Sequence, residues 1–304
     1  MKKLLVICGP TATGKTALAI KLAKKFDGEI VSADSRQVYK GMDIGMGKEW
    51  GDVPIHGYDL VDPRREFSVS KYLKFARKIL KDIWRRGKLP ILVGGTGLYI
   101  KGVVDGIPTV EVPRNNELRK RLEEKSADEL FESLSQLDAV RAGSMNSSDR
   151  KNPRRLVRAI EVAQWNLGHG VKCLTSDILH PTSVLVIGLT AAKEPLNKRI
   201  EDRVGERVKA GIKKEIESLL KNGVSWDDQS MMSFGYRQYR DFFEGEVPEE
   251  VVVSEWTREE QKYAKRQMTW FKKDKRVGWF DIFEVDYQKK VEKMVAKWYP
   301  LSRA

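Results

Sequence analysis

Eight residues near the start of the chain have the types and the spacing of a phosphate-binding loop. Residues 9–16 read GPTATGKT and satisfy the pattern GxxxxGK[ST]. Glycines allow backbone N–H groups to turn toward phosphate oxygens, the N-terminus of the following helix adds partial positive charge, and Lys15 adds a full charge. The Thr16 hydroxyl is expected to hold Mg²⁺. Taken alone, the motif indicates a kinase or an ATPase.

Polar side chains follow the next predicted strand. Asp34 comes directly after the predicted strand 29–33, where it would act as a Mg²⁺ ligand or as a general base beside the phosphates. Ser35, Arg36 and Gln37 follow at once, and their groups suit the edges and faces of a nucleobase. This segment therefore predicts contacts with a nucleobase beside the carboxylate.

Strands and helices alternate through the first third of the chain. Short apolar runs predict buried strands, and apolar residues at helical spacing predict helices between them. The alternation predicts a P-loop NTPase-like α/β fold, with a parallel sheet, helices on both faces and ligands at the carboxyl ends of the strands. The expected strands are residues 4–8, 29–33 and 89–93. The expected helices are residues 16–26 and a second helix that is capped by Ser68 or Ser70 and stops at Gly87.

The pattern changes to helices without strands at about residue 113, and a strand returns at 183–189. We therefore expect residues 1–112 and 183–304 to form the catalytic core, and residues 113–182 to be an inserted all-helical module. Within the second part of the core, the apolar patterns predict helices at 195–222 and 257–273 and a strand at 279–285.

The charge balance favours a polyanionic partner. The chain of 304 residues contains 56 basic and 43 acidic residues, which gives a net charge of +13.

Only two cysteines are present, Cys8 and Cys173, so a disulfide framework and a thiolate zinc site are excluded and a cytoplasmic protein is expected. The apolar run before the loop is too short for a signal peptide, and no run is long enough for a membrane span. A monomer is expected.

Two basic clusters suggest that the polyanion is RNA. One lies in residues 150–158 of the expected module, and the other, in residues 262–276, is interleaved with Tyr263, Trp270 and Phe271. Positive charge neutralises phosphates and flat rings stack on bases, and this combination is typical of single-stranded RNA recognition. Either cluster taken singly is also compatible with a solvated helix face.

In their order along the chain, these motifs resemble the tRNA dimethylallyltransferase family, which prenylates the adenosine 3′-adjacent to the anticodon. The resemblance covers nearly the whole chain. It rests on GPTATGKT from Gly9, DSRQVY from Asp34, GMDIG from Gly41, SVSKY from Ser68, PILVGGTGLYIKG from Pro90, RRLVRAIEV from Arg154, GYRQ from Gly235 and YAKRQMTWF from Tyr263.

The resemblance implies a role for each matching residue. Thr11, Lys15 and Asp34 would be catalytic, with Asp34 taking the proton from the adenine N6, and Mg²⁺ would be the cofactor. The dimethylallyl diphosphate donor would be bound by Gly9, Pro10, Thr11, Ala12, Thr13, Gly14, Lys15, Thr16 and Arg203. The tRNA anticodon stem-loop would be contacted by Asp34, Ser35, Arg36, Gln37, Thr96, Arg119, Arg154, Arg155, Leu156, Val157, Arg158, Gly235, Tyr236, Arg237 and Gln238.

Three other functions are compatible with the phosphate loop. A small-molecule kinase would use Asp34 as its base and the helical insert as a lid, but it has no need of the aromatic and basic C-terminal cluster. An RNA-binding ATPase would need a residue that positions the attacking water, and none is identified. An adenylate isopentenyltransferase shares the chemistry but does not need two basic clusters.

Overall fold

The computed structural model describes residues 2–169 and 181–300, and its central feature is a six-stranded sheet. Each pair of neighbouring strands is parallel, and the order across the sheet is β3, β2, β4, β1, β5, β6. The predicted parallel α/β class is confirmed. The strands are β1 (Lys3–Cys8), β2 (Gly28–Ser32), β3 (Ile55–His56), β4 (Leu89–Val93), β5 (Ser183–Thr190) and β6 (Val277–Asp281).

Thirteen helices lie within the described residues, eight in the part of the chain that carries the sheet and five in the insert. They are α1 (Lys15–Lys25), α2 (Val69–Arg85), α3 (Gly97–Val104), α4 (Asn116–Glu123), α5 (Ala127–Leu137), α6 (Ala139–Gly143), α7 (Ser147–Arg150), α8 (Pro153–His169), α9 (Lys193–Lys209), α10 (Ile212–Lys221), α11 (Tyr236–Phe243), α12 (Glu249–Phe271) and α13 (Tyr287–Trp298). None of them is long and apolar enough to cross a membrane.

The core of the sheet follows from the alternation of side chains along each strand. Leu5 and Ile7 of β1 pack with Leu18 and Leu22 of α1 in one apolar cluster, which α13 also joins. Leu4, the neighbour of Leu5 in β1, points to the opposite face and is fully buried as well. Both faces of the sheet are therefore covered, and this is why its strands are continuous apolar runs.

Several helices and strands begin or end at other residues than the sequence predicts. The helix expected at 195–222 is broken into α9 and α10 at Gly211, whose φ of 98° a helix cannot accommodate. The strand expected at 279–285 is shifted toward the N-terminus, as β6, and the helix expected at 257–273 begins eight residues earlier, as α12. β3 was not predicted, because two residues carry too little pattern for a strand, and α3, α11 and α13 were not predicted either.

The chain divides into two compact units, residues 1–105 with 179–304, and residues 106–178. The second unit has its own core, in which Leu130, Leu134 and Leu156 are fully buried. Helix and loop make up the described part of this unit, residues 106–169. The stretch 170–180, which the sequence analysis included in the insert, lies outside the described residues.

Candidate active site

The phosphate loop connects β1 to α1 at the carboxyl end of the sheet. Gly9 has a φ of 134° and passes so close to the Leu189 carbonyl that a side chain would collide with it. Gly14 is left-handed at the start of α1, and no side chain among the described residues caps this helix. The first N–H groups of α1 are therefore free to bind an anion, as phosphate loops require.

The Lys15 side chain folds back over the loop to which it belongs. Its Nζ donates to the Pro10 carbonyl at 2.6 Å, and Thr13 Oγ1 donates to the same oxygen at 2.8 Å. Burial and the positive charge of Arg203 lower the pKa of Lys15 to about 8, although Asp34 opposes this shift. The loop therefore holds a buried cation whose charged form a bound anion would stabilise.

Two arginines of α9 contact the outer rim of the loop. Arg203 Nη1 donates to Thr11 Oγ1 at 2.9 Å, and Arg199 Nε donates to the Ala12 carbonyl at 2.8 Å. Because residues four apart lie on one helix face, both side chains reach the loop from the same side. The structure thus brings Arg203, predicted as a diphosphate ligand, to the predicted phosphate site.

Asp34 stands just beyond β2, and its neighbours hold it in a turn. The Arg36 backbone N–H donates to Asp34 Oδ1 at 2.9 Å, and the Ser35 backbone N–H donates to Thr96 Oγ1 at 3.0 Å. The Arg36 guanidinium lies 3.7 Å from the centroid of the Phe234 ring, a cation–π contact. These bonds bring Ser35, Arg36 and Thr96 together with Asp34.

A cavity of about 390 Å³ joins the phosphate loop to Asp34. Burial, together with the charge of Asp34, raises the pKa of Tyr263 to about 12, so the phenol stays neutral and can donate a hydrogen bond. The residues lining this cavity include Thr11, Ala12, Gly14, Lys15, Thr16, Asp34, Arg36, Gln37, Glu49, Arg199, Arg203, Arg207, Glu260, Tyr263 and Gln267.

Gln267 is a cavity residue that the sequence analysis did not single out. Its Oε1 accepts from the Thr11 backbone N–H at 2.8 Å, and its Nε2 donates to the Gly95 carbonyl at 3.0 Å. Gln267 therefore ties the phosphate loop to the glycine turn after β4. Arg207 and Glu260 were missed too, because only the folded helices α9 and α12 bring these distant residues to the cavity.

Arg119 and Arg158 lie in the helical unit, where both are held by Glu161. Arg119 donates to both carboxylate oxygens, at 2.6 and 2.7 Å, and Arg158 donates to one at 2.9 Å. Burial by itself would raise the pKa of Glu161, but these hydrogen bonds outweigh it and lower the pKa to about 2. Arg158 also donates to the backbone carbonyls of Thr109 and Val112. Both arginines thus stabilise this unit, and their predicted contact with tRNA stays a prediction.

The rest of the predicted run on α8 divides between core and surface. Leu156 is fully buried in the core of the unit, so its side chain is unavailable to a partner, and Val157 is half-buried. Arg154 is exposed, and Arg155 is exposed but paired with Asp149. Arg154 and Arg155 are therefore the residues of this run whose charges face solvent most openly.

The GYRQ stretch is mostly buried. Tyr236 is fully buried, and Gln238 Oε1 accepts from the Gly235 backbone N–H at 2.8 Å, which caps α11. Arg237 is exposed and pairs with Glu259 at 3.0 Å. The side chains of Tyr236 and Gln238 therefore support α11, and Arg237 is the member of the stretch that can reach a partner directly.

In the C-terminal basic cluster, the aromatic rings differ in exposure. Trp270 is 43% exposed and Tyr263 is half-buried at the cavity, whereas Phe271 is buried and cannot stack on a base. Arg276 pairs with Asp105 and with Asp274, and this reduces its availability to a phosphate. Trp270 and the exposed lysines are therefore the members of the cluster that are available to a partner.

Comparison with known proteins shows which family shares these features. The IPP transferase family model matches residues 37–274, and the isopentenyl transferase model matches residues 2–52. The tRNA dimethylallyltransferase of Anoxybacillus flavithermus is 38% identical over 288 residues, which are 92% of this chain and 91% of that protein. The tRNA dimethylallyltransferase of Geobacillus thermodenitrificans is 38% identical over 307 residues.

Solved structures give the same family. The full-length tRNA isopentenylpyrophosphate transferase of Bacillus halodurans is 35% identical, with a TM-score of 0.71, over 97% of this chain and 94% of that one. A eukaryotic dimethylallyltransferase acting on tRNA superimposes with a TM-score of 0.80 at 24% identity, which shows a shared fold.

Proposed function

Because the chain belongs to the IPP transferase family, we propose that it transfers a dimethylallyl group from dimethylallyl diphosphate to N6 of an adenosine in tRNA. The acceptor is the adenosine 3′-adjacent to the anticodon, and diphosphate is released. The observation that carries the proposal is that the phosphate-loop cation Lys15 and the carboxylate residue Asp34 line the same cavity.

Asp34 acts as the general base in this proposal. The lone pair of the adenine N6 is delocalised into the ring, which makes N6 a poor nucleophile. A base must therefore remove a proton from N6 as the new bond forms. The N6–C1 bond to the allylic carbon forms, the bond from C1 to the diphosphate oxygen breaks, and the N6 proton passes to the Asp34 carboxylate. The Arg36 backbone N–H, which donates to Asp34 Oδ1, keeps the carboxylate oriented.

The positive groups of the loop stabilise the departing diphosphate. Negative charge gathers on the leaving oxygens in the transition state, and preorganised donors at that place lower the barrier. Lys15, Arg203 and the backbone N–H groups at the start of α1 supply such donors. Thr11 lies at the rim, where Arg203 and Gln267 hold it from two sides.

Mg²⁺ suits the oxygen donors that line the cavity. The hydroxyl of Thr16 and the carboxylates of Asp34 and Glu49 all belong to it, and hydroxyl, carboxylate and phosphate oxygens are the ligands that Mg²⁺ prefers. Thr16 would hold the ion, which would neutralise charge on the diphosphate.

The acceptor adenosine must leave the stacked anticodon loop to reach a base inside a cavity. Extrusion costs a few kcal/mol, and contacts with the splayed nucleotide offset this cost. Ser35, Arg36, Gln37 and Thr96 are proposed to contact that nucleotide. Arg36 and Gln37 line the same cavity as Asp34, and Thr96 is hydrogen-bonded to the Ser35 backbone. Arg154 and the exposed lysines of the C-terminal cluster are proposed to neutralise phosphates of the anticodon arm.

A labelling assay tests the proposal. The protein is incubated with labelled dimethylallyl diphosphate, Mg²⁺ and unmodified tRNA, and the label is located by mass spectrometry after digestion to nucleosides. We expect one label on N6 of one adenosine and one equivalent of released diphosphate. Label on free AMP, ADP or ATP would favour an adenylate isopentenyltransferase. Phosphate transfer from ATP, with unlabelled RNA, would favour the kinase.

A further inference from the structure

Arg207 is a buried cation that the mechanism above does not use. It lies one turn after Arg203 on α9 and lines the same cavity. Its side chain and backbone together are only 8% exposed. A charge that is buried to this extent is costly unless it is paired and hydrogen-bonded.

The pairing of Arg207 within the described chain is incomplete. Its Nη1 reaches Glu260 Oε1 only at 3.4 Å, and the indole N–H of Trp256 approaches the same oxygen at 3.4 Å. Arg207 Nε is buried and finds no acceptor among residues 2–169 and 181–300. One long contact to a shared oxygen leaves most of the donors of the guanidinium available.

A second cation stands very close to Arg207. A Cβ on Gly47 would lie within 2.5 Å of the Nη2 atoms of both Arg203 and Arg207, so these two nitrogens are less than twice that distance apart. Burial and the charge of Arg203 lower the pKa of Arg207 to about 10. Gly47 leaves open the space into which both guanidinium groups point.

We propose that Arg207 and Arg203 together clamp the diphosphate of the donor, with Arg207 as a second arginine ligand whose hydrogen bonding the phosphate oxygens complete. The inference rests on the proposed function. Two guanidinium groups at this separation match the two phosphate groups of a diphosphate, because each fork can bind oxygens bidentately. The donor is favoured over a tRNA phosphate because Arg203 already donates to Thr11 of the phosphate loop.

Binding of inorganic diphosphate to the full chain tests the clamp directly. Calorimetry in the presence of Mg²⁺ measures the dissociation constant of diphosphate for the wild type and for Arg207→Met. This variant keeps an unbranched side chain but loses the charge. We expect the dissociation constant to rise about ten- to hundredfold, the range for hydrogen bonds to a charged group. Arg207→Lys keeps the charge but loses the fork, and an intermediate rise is expected. The affinity for tRNA should stay unchanged.

Two further variants separate a ligand from a structural role. Lys209→Met removes the same charge from an exposed position of α9 and should leave the affinity for diphosphate unchanged. Glu260→Gln removes the competing carboxylate and should tighten diphosphate binding. If Arg207 only pairs with Glu260, Glu260→Gln and Arg207→Met should both lower the melting temperature of the ligand-free protein and leave diphosphate affinity unchanged.

Unchanged affinity in Arg207→Met, or in Arg207→Lys if the Met variant does not fold, would overturn the clamp. A loss of tRNA affinity with unaltered diphosphate affinity would overturn it as well, because Arg207 would then contact the RNA. Absence of diphosphate binding in the wild type would overturn both the clamp and the proposed donor. If the variants confirm the clamp but the labelling assay puts no label on tRNA, only the proposed function would be refuted.

Discussion

Raising the pH from 7 to 9 should weaken binding of the donor, because the charge of Lys15 is lost over this range. The pKa of Lys15 is lowered to about 8 by burial and by Arg203. At pH 7 about 90% of the side chain is protonated, and at pH 9 about 10%. If the neutral amine contributes little to binding, the association constant falls about tenfold across these two pH units.

The sign follows from the charge of the ligand. A diphosphate favours the protonated amine, so the bound protein has a higher Lys15 pKa than the free protein and must take up a proton on binding. Calorimetry of dimethylallyl diphosphate binding, in buffers of different ionisation enthalpy, measures both the affinity and the proton uptake. Uptake should grow between pH 7 and pH 9.

Two variants locate the effect. Lys15→Arg keeps its charge at all these pH values, so its affinity should be weaker overall but flat with pH. Arg203→Met removes the cation that depresses the Lys15 pKa, so the pH at which affinity begins to fall should move upward. A wild-type affinity that does not change between pH 7 and pH 9 would refute the assignment, and so would a pH break that persists in Lys15→Arg.

Three further predictions concern other parts of the chain. Asp34→Asn keeps an acceptor for the Arg36 N–H but is a far weaker base, so the single-turnover rate should fall by about two to four decades with unchanged tRNA affinity; equal rates would remove Asp34 as the base. Arg154→Gln should reduce the salt slope of tRNA binding by about 1, whereas Arg158→Gln should mainly lower the melting temperature, because Arg158 is tied to the helical unit; a filter-binding salt series and thermal unfolding distinguish them. Hydrogen bonds from Arg86 and His56 hold the pKa of Glu29 at about 2, so the stability that this carboxylate contributes is present above about pH 4.5 and lost as the pH falls toward 2; Glu29→Gln should lower the unfolding free energy at pH 7 by about 3 kcal/mol and lose that pH dependence, as denaturant titrations would show.

The phosphate loop was predictable from sequence because its chemistry is local. The glycines, Lys15 and Thr16 are consecutive, and their geometry follows from a strand that runs into a helix. Asp34 was predictable for a related reason, since parallel strands place their carboxyl ends at one edge of the sheet. Strand type and position followed from unbroken apolar runs, and β4 was predicted to the residue.

The surface of the site was less predictable. Tyr236 and Leu156 stand in motifs that suggest RNA contacts, yet both side chains are fully buried. The sequence pattern does not distinguish a large apolar side chain that faces a partner from one that fills a core, because both occur at helical spacing. The break at Gly211 was missed since one glycine is compatible with either a continuous helix or its end.

The sequence by itself determined the class of fold, the position of the phosphate loop and the identity of the carboxylate beside it, because each depends on residues that are neighbours along the chain or on the period of a single element. The tertiary structure alone decided which distant side chains complete the cavity. Gln267 reaches Thr11 across 256 positions, and Gly47 lies beside the guanidinium groups of Arg203 and Arg207 on the distant helix α9. Such contacts depend on how α9 and α12 pack near the sheet, and packing joins residues whose separation in sequence carries no signal.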